Sequence, residues 1–192
     1  MEAARFLWWM AAAALVLPFM DIAQRTLGHV WVERATRPRV ILAVLEVATL
    51  LLWIPLRGQW RFLPDHDPGV AFAGAVLALT GALLAAWAKA RLGRLFSPQL
   101  GVQREHRLIT SGPYAVVRHP MYLGIIDFLI GSSIFWNDVA LFGVALLFIV
   151  YFRAQIRIEE QLFARHFGAE WTAYRERTPR LFPRLSRRPR QP

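Results

Sequence analysis

The chain has 192 residues, 56% of them hydrophobic, and a formal net charge of +10. A soluble domain of this length has no use for so much apolar side chain, and a nucleic-acid binder would not separate its basic residues with long uncharged runs. Basic segments alternating with charge-poor blocks are the composition of a multi-span membrane protein, and the absence of cysteine excludes disulfides, thiolate metal sites and a cysteine nucleophile.

Five apolar blocks follow one another: Phe6 to Met20, Val40 to Leu56, Pro68 to Ala88, Met121 to Trp136 and Val139 to Phe152. A spanning helix needs about 20 residues. The third block meets this comfortably, while the first, fourth and fifth must borrow flanking residues, tilt or be partly re-entrant. The first follows Arg5 as a signal peptide would, but Pro18, Phe19, Met20 and Asp21 do not make a small-x-small cleavage site, so the span is expected to be retained. Asn137-Asp138 is a turn-favouring pair between the last two blocks, which predicts a tight helical hairpin.

Arginines crowd the segment between spans one and two (Arg25, Arg34, Arg37, Arg39), the segment between three and four, and the tail. The other connections are balanced or neutral. The positive-inside rule then predicts an all-α integral membrane protein of about five spans, with the N-terminus outside and the C-terminus cytoplasmic. This fits a multi-pass protein of a bacterial inner membrane. A single membrane domain is expected, with three N-terminal spans over residues 1–88, a core over 89–185 and a basic tail over 186–192 that rests near anionic lipid.

Three stretches are more specific than membrane residence requires. In "GPYAVVRHPMYLG" (residues 112–124), Pro120 disfavours a helical His119 and suits the first helical position, so the fourth helix is predicted to start at Pro120. Its free amides on Met121, Tyr122 and Leu123 point back toward Arg118 and His119, a ready site for an anionic or polar group. The plainer alternative is an Arg118 anchored to headgroups and a His119 that caps the helix.

The second stretch follows the fifth span without a break. At helical spacing Phe148, Phe152, Gln155, Glu159 and Leu162 form one row, so an apolar row continues into Gln155 and Glu159. Glu160 lies on the neighbouring row, where pairing with Arg157 on a solvated face would account for it. In the third stretch Gly168 can end a helix, and Trp171 and Tyr174 are an i,i+3 pair on a short amphipathic helix expected at the membrane surface.

Two acids sit inside spans. Asp127 shares a small-residue face with Gly124 and Gly131, suited to close helix packing and a structural hydrogen bond; Glu46 has no evident role. The five histidines show no paired metal-ligand spacing, so no metal is expected. Neither a nucleophile elbow nor a phosphate-binding glycine loop occurs.

Taken together, "HRLITSGPYAVVRHPMYLG", the hairpin and "RIEEQLFARHFGAEWTAYRERTPRLFP" resemble the isoprenylcysteine carboxyl methyltransferase family and its bacterial relatives, related to the phospholipid N-methyltransferases. The resemblance covers Lys89 to Leu185 and implies an integral membrane methyltransferase using S-adenosylmethionine on a lipid or lipophilic acceptor, with no covalent catalyst from the protein. It implies a cytoplasmic cofactor shell of Gln99, the run His106, Arg107, Leu108 and Ile109, then Tyr114, His119, Pro120, Met121, Tyr122 and Glu159, with Glu160 behind it.

Members acting on a carboxylate commonly hold an arginine four residues before the glutamate matching Glu159. Gln155 stands there instead, flanked by Arg153 and Arg157, so these three are the substrate-side candidates. Glutamine cannot neutralise a carboxylate, which leaves a neutral or amine-bearing lipid open as acceptor. Two other readings compete: a membrane NADPH-dependent reductase of the sterol type, and a non-enzymatic membrane protein that binds lipid or a partner.

Overall fold

The computed structural model describes residues 31–34, 61–64, 67–95, 101–103 and 107–183. The first two expected spans, Glu46, Gln99, His106 and the basic tail lie outside the described residues. Three long helices dominate: α1 (Pro68–Leu92), α3 (Pro120–Trp136) and α4 (Val139–Phe167). Between the first two stands a single turn, α2 (Pro113–Val116), and a short helix, α5 (Ala169–Arg177), follows the last. A feature not anticipated by the helical reading is an antiparallel strand pair, β1 (Trp31–Arg34) with β2 (Gly101–Gln103), in which Arg34 faces Gly101.

Local chemistry sets the helix ends. Asp67 caps α1 by accepting from the amides of Gly69 (2.7 Å) and Val70 (3.1 Å), with Pro68 in the first turn. Pro120 opens α3, as its fixed φ predicts. Asn137 takes the left-handed conformation that closes α3, and the Asp138 carboxylate then caps α4 through the Leu141 amide at 3.1 Å. Asn137 also accepts from the amides of Phe62 and Leu63 and donates to the Leu63 carbonyl, tying the segment before α1 over the hairpin tip.

The helices α1 and α3 run antiparallel, in the most extensive contact among the described elements. Gly74, Ala78, Gly81 and Ala85 of α1 meet the face of α3 that carries Gly124 and Gly131. A Cβ on Gly81 would fall 2.5 Å from the Phe128 amide nitrogen, and one on Gly124 would fall 2.6 Å from the Gly81 carbonyl. Backbones this close need glycine on both sides. In a membrane, where lipid is as apolar as leucine, close packing of small residues is what holds helices together. The predicted small face around Asp127 is therefore a packing surface.

Across the other side of α3, Ile125, Phe128 and Leu129 pack with Leu141, Val144, Ala145, Phe148 and Phe152 of α4. The outer surfaces are as apolar as the core. Phe72, Val76, Leu79, Leu83 and Trp87 stand exposed along one side of α1, and Leu146, Leu147 and Val150 along α4. Such stripes suit lipid, not water.

Among the described residues two helices, α1 and α4, are long and apolar enough to cross a membrane, each with a mean hydropathy of 2.1 over its best window. The fifth block thus gains its length by running on to Phe167, while α3 stays at 17 residues, about 25 Å, short of the usual hydrocarbon thickness. The fold is that of a helical integral membrane protein.

Gly81→Leu should force α1 and α3 apart and lower the unfolding midpoint in detergent, at a cost of about 1–3 kcal/mol for overpacking. Gly143→Ala, at a helical position with nothing within 4 Å of the added methyl, should leave the midpoint unchanged or raise it. Equal midpoints for the two variants would remove close packing as the basis of the α1–α3 contact.

Candidate active site

Antiparallel packing brings the C-terminal end of α1, the start of α3 and the polar end of α4 to the same end of the bundle. There the Arg118-His119-Pro120 corner is bound from three directions. Arg118 is buried, and its Nε and Nη2 donate to Glu160 Oε1 at 3.1 and 2.8 Å. Its Nη1 donates to the carbonyls of Arg175 (2.9 Å) and Thr178 (2.6 Å), and its guanidinium lies 5.7 Å from the Trp171 ring centroid. The backbone joins in: the Arg118 amide donates to the Pro179 carbonyl at 2.8 Å and the His119 amide to the Arg180 carbonyl at 3.1 Å.

Glu160 is the centre of this cluster. Besides Arg118 it receives Arg180 on both oxygens, and His119 Nε2 stands 3.3 Å from its Oε1. Arg180 is half exposed, whereas the Arg118 and Glu160 side chains are 7% and 8% accessible, so the Arg118 pair carries the larger share of the interaction. Tyr174 closes the arrangement by donating its hydroxyl to the Tyr114 carbonyl at 2.7 Å.

This arrangement corrects four sequence expectations. Arg118 is neither a headgroup anchor nor free to receive a ligand, since its donors are committed inside the protein. His119 makes no side-chain capping bond to α3; its ring sits between the two glutamates instead. Glu160, expected on a solvated face with Arg157, is the more buried of the pair, and Arg157 is exposed. Trp171 and Tyr174 are buried against Phe163 and Arg118 rather than laid on a membrane surface. Periodicity assigns residues to rows along one helix but says nothing about what a returning segment covers.

Glu159 continues the row of Phe152 and Gln155 as expected, and Gln155 is buried. The Glu159 carboxylate is partly accessible, with Oε2 standing 3.4 Å from His119 Nδ1. That oxygen is itself enclosed, and this long approach is not a hydrogen bond of ordinary geometry. His119 stacks on Tyr122 (5.7 Å between centroids, 12°), which stacks on Phe152 (4.6 Å, 20°), so an aromatic column leads from the bundle core to the carboxylates. Pro120 is buried and Met121 packs on the core.

Arg107, Leu108 and Ile109 line a cleft of about 410 Å³ together with Arg91, Thr110 and Ser111. Arg153 and Arg157 are exposed on the side of α4 that carries Val150. Sequence reasoning missed Arg180, Thr178 and the committed role of Arg118. The only available signal was the Thr-Pro-Arg stop after α5, which looks like an ordinary helix terminator.

Electrostatics follow from the geometry. Burial opposes a charge on His119, but the hydrogen bonds and charges of Glu159 and Glu160 outweigh it and hold the imidazole above its ordinary value. Burial likewise opposes ionised Glu160, but the bonds from His119, Arg180 and Arg118 hold it well below the usual carboxylate range. Burial pushes the Tyr174 phenol up to about 12, against the pull of Arg118 and Arg177. Tyr114 is likewise raised, by burial first and then by Glu159 and Tyr174.

A raised histidine stabilises the fold fully below its unfolded value of 6.5 and loses that contribution as pH rises through the folded value. A depressed glutamate stabilises above its unfolded value of 4.5 and loses it as pH falls toward the folded value. The corner is therefore tightest between these two limits. Thermal unfolding in detergent should show a midpoint that declines above pH 6.5, and His119→Gln should flatten the decline. An equal decline in that variant would assign it to another group.

Three comparisons with known proteins bear on this corner. The isoprenylcysteine carboxyl methyltransferase (ICMT) family profile matches residues 74–165, from α1 through both glutamates. Protein-S-isoprenylcysteine O-methyltransferase B of Arabidopsis thaliana is 25% identical over 172 residues, 88% of this chain and 84% of that protein. The nickel-cobalt-cadmium resistance protein NccN of Alcaligenes xylosoxydans xylosoxydans is 30% identical over 154 residues, 79% of this chain and 67% of that protein. The solved eukaryotic intramembrane Ras methyltransferase ICMT superposes with a TM-score of 0.61 at 22% identity; the match covers 90% of this chain but spans 60% of that one, and it shows the shared fold. With the buried Arg118–Glu160 corner lying inside the matched region, the chain belongs to the isoprenylcysteine carboxyl methyltransferase family and is an integral membrane methyltransferase.

Proposed function

We propose that the protein methylates a lipophilic acceptor using S-adenosylmethionine held at the His119–Glu159 corner. The observation that carries this reading is the Glu159 Oε2 atom, enclosed and without a hydrogen bond of ordinary geometry, His119 Nδ1 standing 3.4 Å away, at a corner where the neighbouring Glu160 is saturated. A buried acceptor so loosely paired is costly unless a ligand supplies a better donor. The ribose hydroxyls and the ammonium group of the cofactor are donors of that kind, so the residues fit it.

Glu159 and His119 would hold those polar parts, and the Tyr122–Phe152 column would flank the apolar ones. Tyr114, Pro120 and Met121 shape the wall, while Arg107, Leu108 and Ile109, with Gln99 and His106 preceding them, contribute the connector side. Glu160 acts through Arg118 and His119 rather than on the cofactor. When bound, S-adenosylmethionine supplies a methyl carbon on a sulfonium, which an acceptor lone pair attacks as the carbon–sulfur bond breaks. The protein orients the two partners and excludes water, and no nucleophile of its own is required.

Burial opposes a charge on His119, but the two carboxylates favour it, which suits it to positioning Glu159. The acceptor enters from the lipid side, where the helices present apolar faces. Five spans, an external N-terminus and a cytoplasmic pocket in a bacterial inner membrane remain part of this proposal. A sterol-type reductase would need a site for NADPH, and family membership favours methyl transfer over it and over a scaffold without catalysis.

Several relatives are named as protein-S-isoprenylcysteine O-methyltransferases. Gln155 argues that the acceptor here is not a prenylcysteine carboxylate. It is buried one turn before Glu159, where carboxylate-methylating members commonly hold arginine, and the flanking arginines are turned outward. An amide can hydrogen-bond a neutral or amine-bearing lipid but lacks the fixed cationic fork that steers a carboxylate.

Calorimetry of the detergent-solubilised protein should show S-adenosylhomocysteine binding and no NADPH binding, with Glu159→Gln weakening the first by about tenfold. Unchanged affinity in a folded variant removes Glu159 from the cofactor site. Methyl transfer from labelled donor to N-acetyl-farnesylcysteine should be slow in the wild type and faster in Gln155→Arg. Brisk wild-type turnover lost in Arg153→Ala or Arg157→Ala would show that an outward arginine reaches the acceptor.

A further inference from the structure

The partners of Glu160 are divided unevenly between its two oxygens. Oε1 receives Arg118 twice, at 3.1 and 2.8 Å, and Arg180 Nε at 3.1 Å, with His119 Nε2 standing 3.3 Å away. Oε2 has one partner among the described residues, Arg180 Nη2. The fork of Arg180 therefore bridges both oxygens and is all that engages the second. It adds little to stability, because its side chain is 48% accessible and solvent screens the pair. Arg118 alone neutralises Glu160, so the second guanidinium is surplus to charge balance.

The His119 ring depends on that surplus cation. It lies between two carboxylates at nearly equal long approaches, 3.3 Å from Nε2 to Glu160 Oε1 and 3.4 Å from Nδ1 to Glu159 Oε2. Neither is a short ion pair, so a small gain on one side draws the ring from the other. Arg118 cannot replace a lost Arg180, since its remaining nitrogen, Nη1, binds the carbonyls of Arg175 and Thr178. A buried Oε2 without a donor is costly, and His119 Nε2 is the donor left beside the carboxylate. Without the fork, Glu160 is expected to turn toward the imidazole. The backbone of Arg180 holds the same histidine, its carbonyl accepting from the His119 amide at 3.1 Å.

We propose that Arg180 is a positioning residue for methyl transfer: by occupying both oxygens of Glu160 it leaves the His119 ring engaged with Glu159. This rests on the reading that S-adenosylmethionine is held at the His119–Glu159 corner. The charged and titratable groups facing the ring are Glu159 and Glu160 from α4, Arg180 from the segment after α5, Arg118 beside it and Tyr122 stacked on it, with Tyr114 of α2 near Glu159. Removing Arg180 takes a cation from this set and frees Glu160 for the ring. Both changes favour the charged imidazole, so its titration moves to higher pH.

The test uses the ligand-free full chain in detergent with isotope-labelled histidine, the His119 resonance being identified by its loss in His119→Gln. In Arg180→Gln, which keeps the backbone bond to the His119 amide, the His119 midpoint should rise by about half a pH unit or more. S-adenosylhomocysteine affinity, measured by calorimetry, should fall by about threefold. Arg180→Lys, whose single ammonium satisfies one oxygen and not both, should stand between the wild type and the glutamine variant in both readouts. Arg177→Gln, which removes an exposed cation of α5 lying over Tyr174, should change neither. A purely structural role would lower the thermal midpoint without moving the His119 titration. An unmoved titration in both Arg180 variants overturns the proposal, and so does a moved titration with wild-type affinity for S-adenosylhomocysteine. A wild-type protein that binds no S-adenosylhomocysteine overturns the cofactor reading on which the proposal rests, an outcome distinct from either. Should the glutamine variant not fold, the lysine variant decides by the same two readouts.

Discussion

The buried pairing of Arg118 with Glu160 is the interaction on which this end of the protein depends. Taking two charges out of water costs several kcal/mol for each, and attraction repays it only where the remaining donors and acceptors are satisfied. Here they are. One edge of the guanidinium binds the carboxylate while Nη1 binds the carbonyls of Arg175 and Thr178, and Arg180 and His119 complete Glu160. Residues separated by 42 and 60 positions in the chain are joined at one point. The start of α3, the polar end of α4 and the segment after α5 hold their relative positions because a partly broken cluster would bury an uncompensated charge.

That cluster is useful only because the membrane part of the molecule delivers its members to the same level. The glycine-to-backbone contacts of α1 with α3 fix the depth of Pro120 relative to the end of α1. The tight turn at Asn137 and Asp138 returns α4 antiparallel to α3, and the uninterrupted run of α4 past Phe152 carries both glutamates beyond the apolar block to the height of His119. Packing inside the lipid and charge pairing at its edge are thus one construction: the first sets heights, the second locks segments across the gap.

Within it the two adjacent glutamates have opposite characters. Glu160 is saturated and serves the architecture, while Glu159 has only a long approach from His119 to its enclosed oxygen and lies beside the aromatic column. Neighbouring positions on a helix differ by about 100° in direction, which is enough to turn one carboxylate into the clasp and the other toward His119 and the aromatic column. The chain is similar both to a relative named for prenylcysteine methylation and to one named for metal resistance.

Several features were legible in the sequence because they follow from local rules. Pro120 at the first helical position, the Asn137-Asp138 turn, the continuation of α4 through Glu159 and Glu160, and the stop at Gly168 all depend on residues a few positions apart. The family resemblance was legible too, since it rests on the order and spacing of short motifs. The partner of Arg118 was not. A single row pattern assigned Glu160 to Arg157, one turn away, while the structure gives it Arg118, 42 positions earlier, and Arg180, 20 positions later. The strand pair of β1 with β2, the hold of Asn137 on Phe62 and Leu63, and the burial of Trp171 were hidden for the same reason. Sequence periodicity determines which residues share a face of one helix; which distant segment covers that face is decided by the free energy of burying charges and backbones together, and that exists only once the chain has folded.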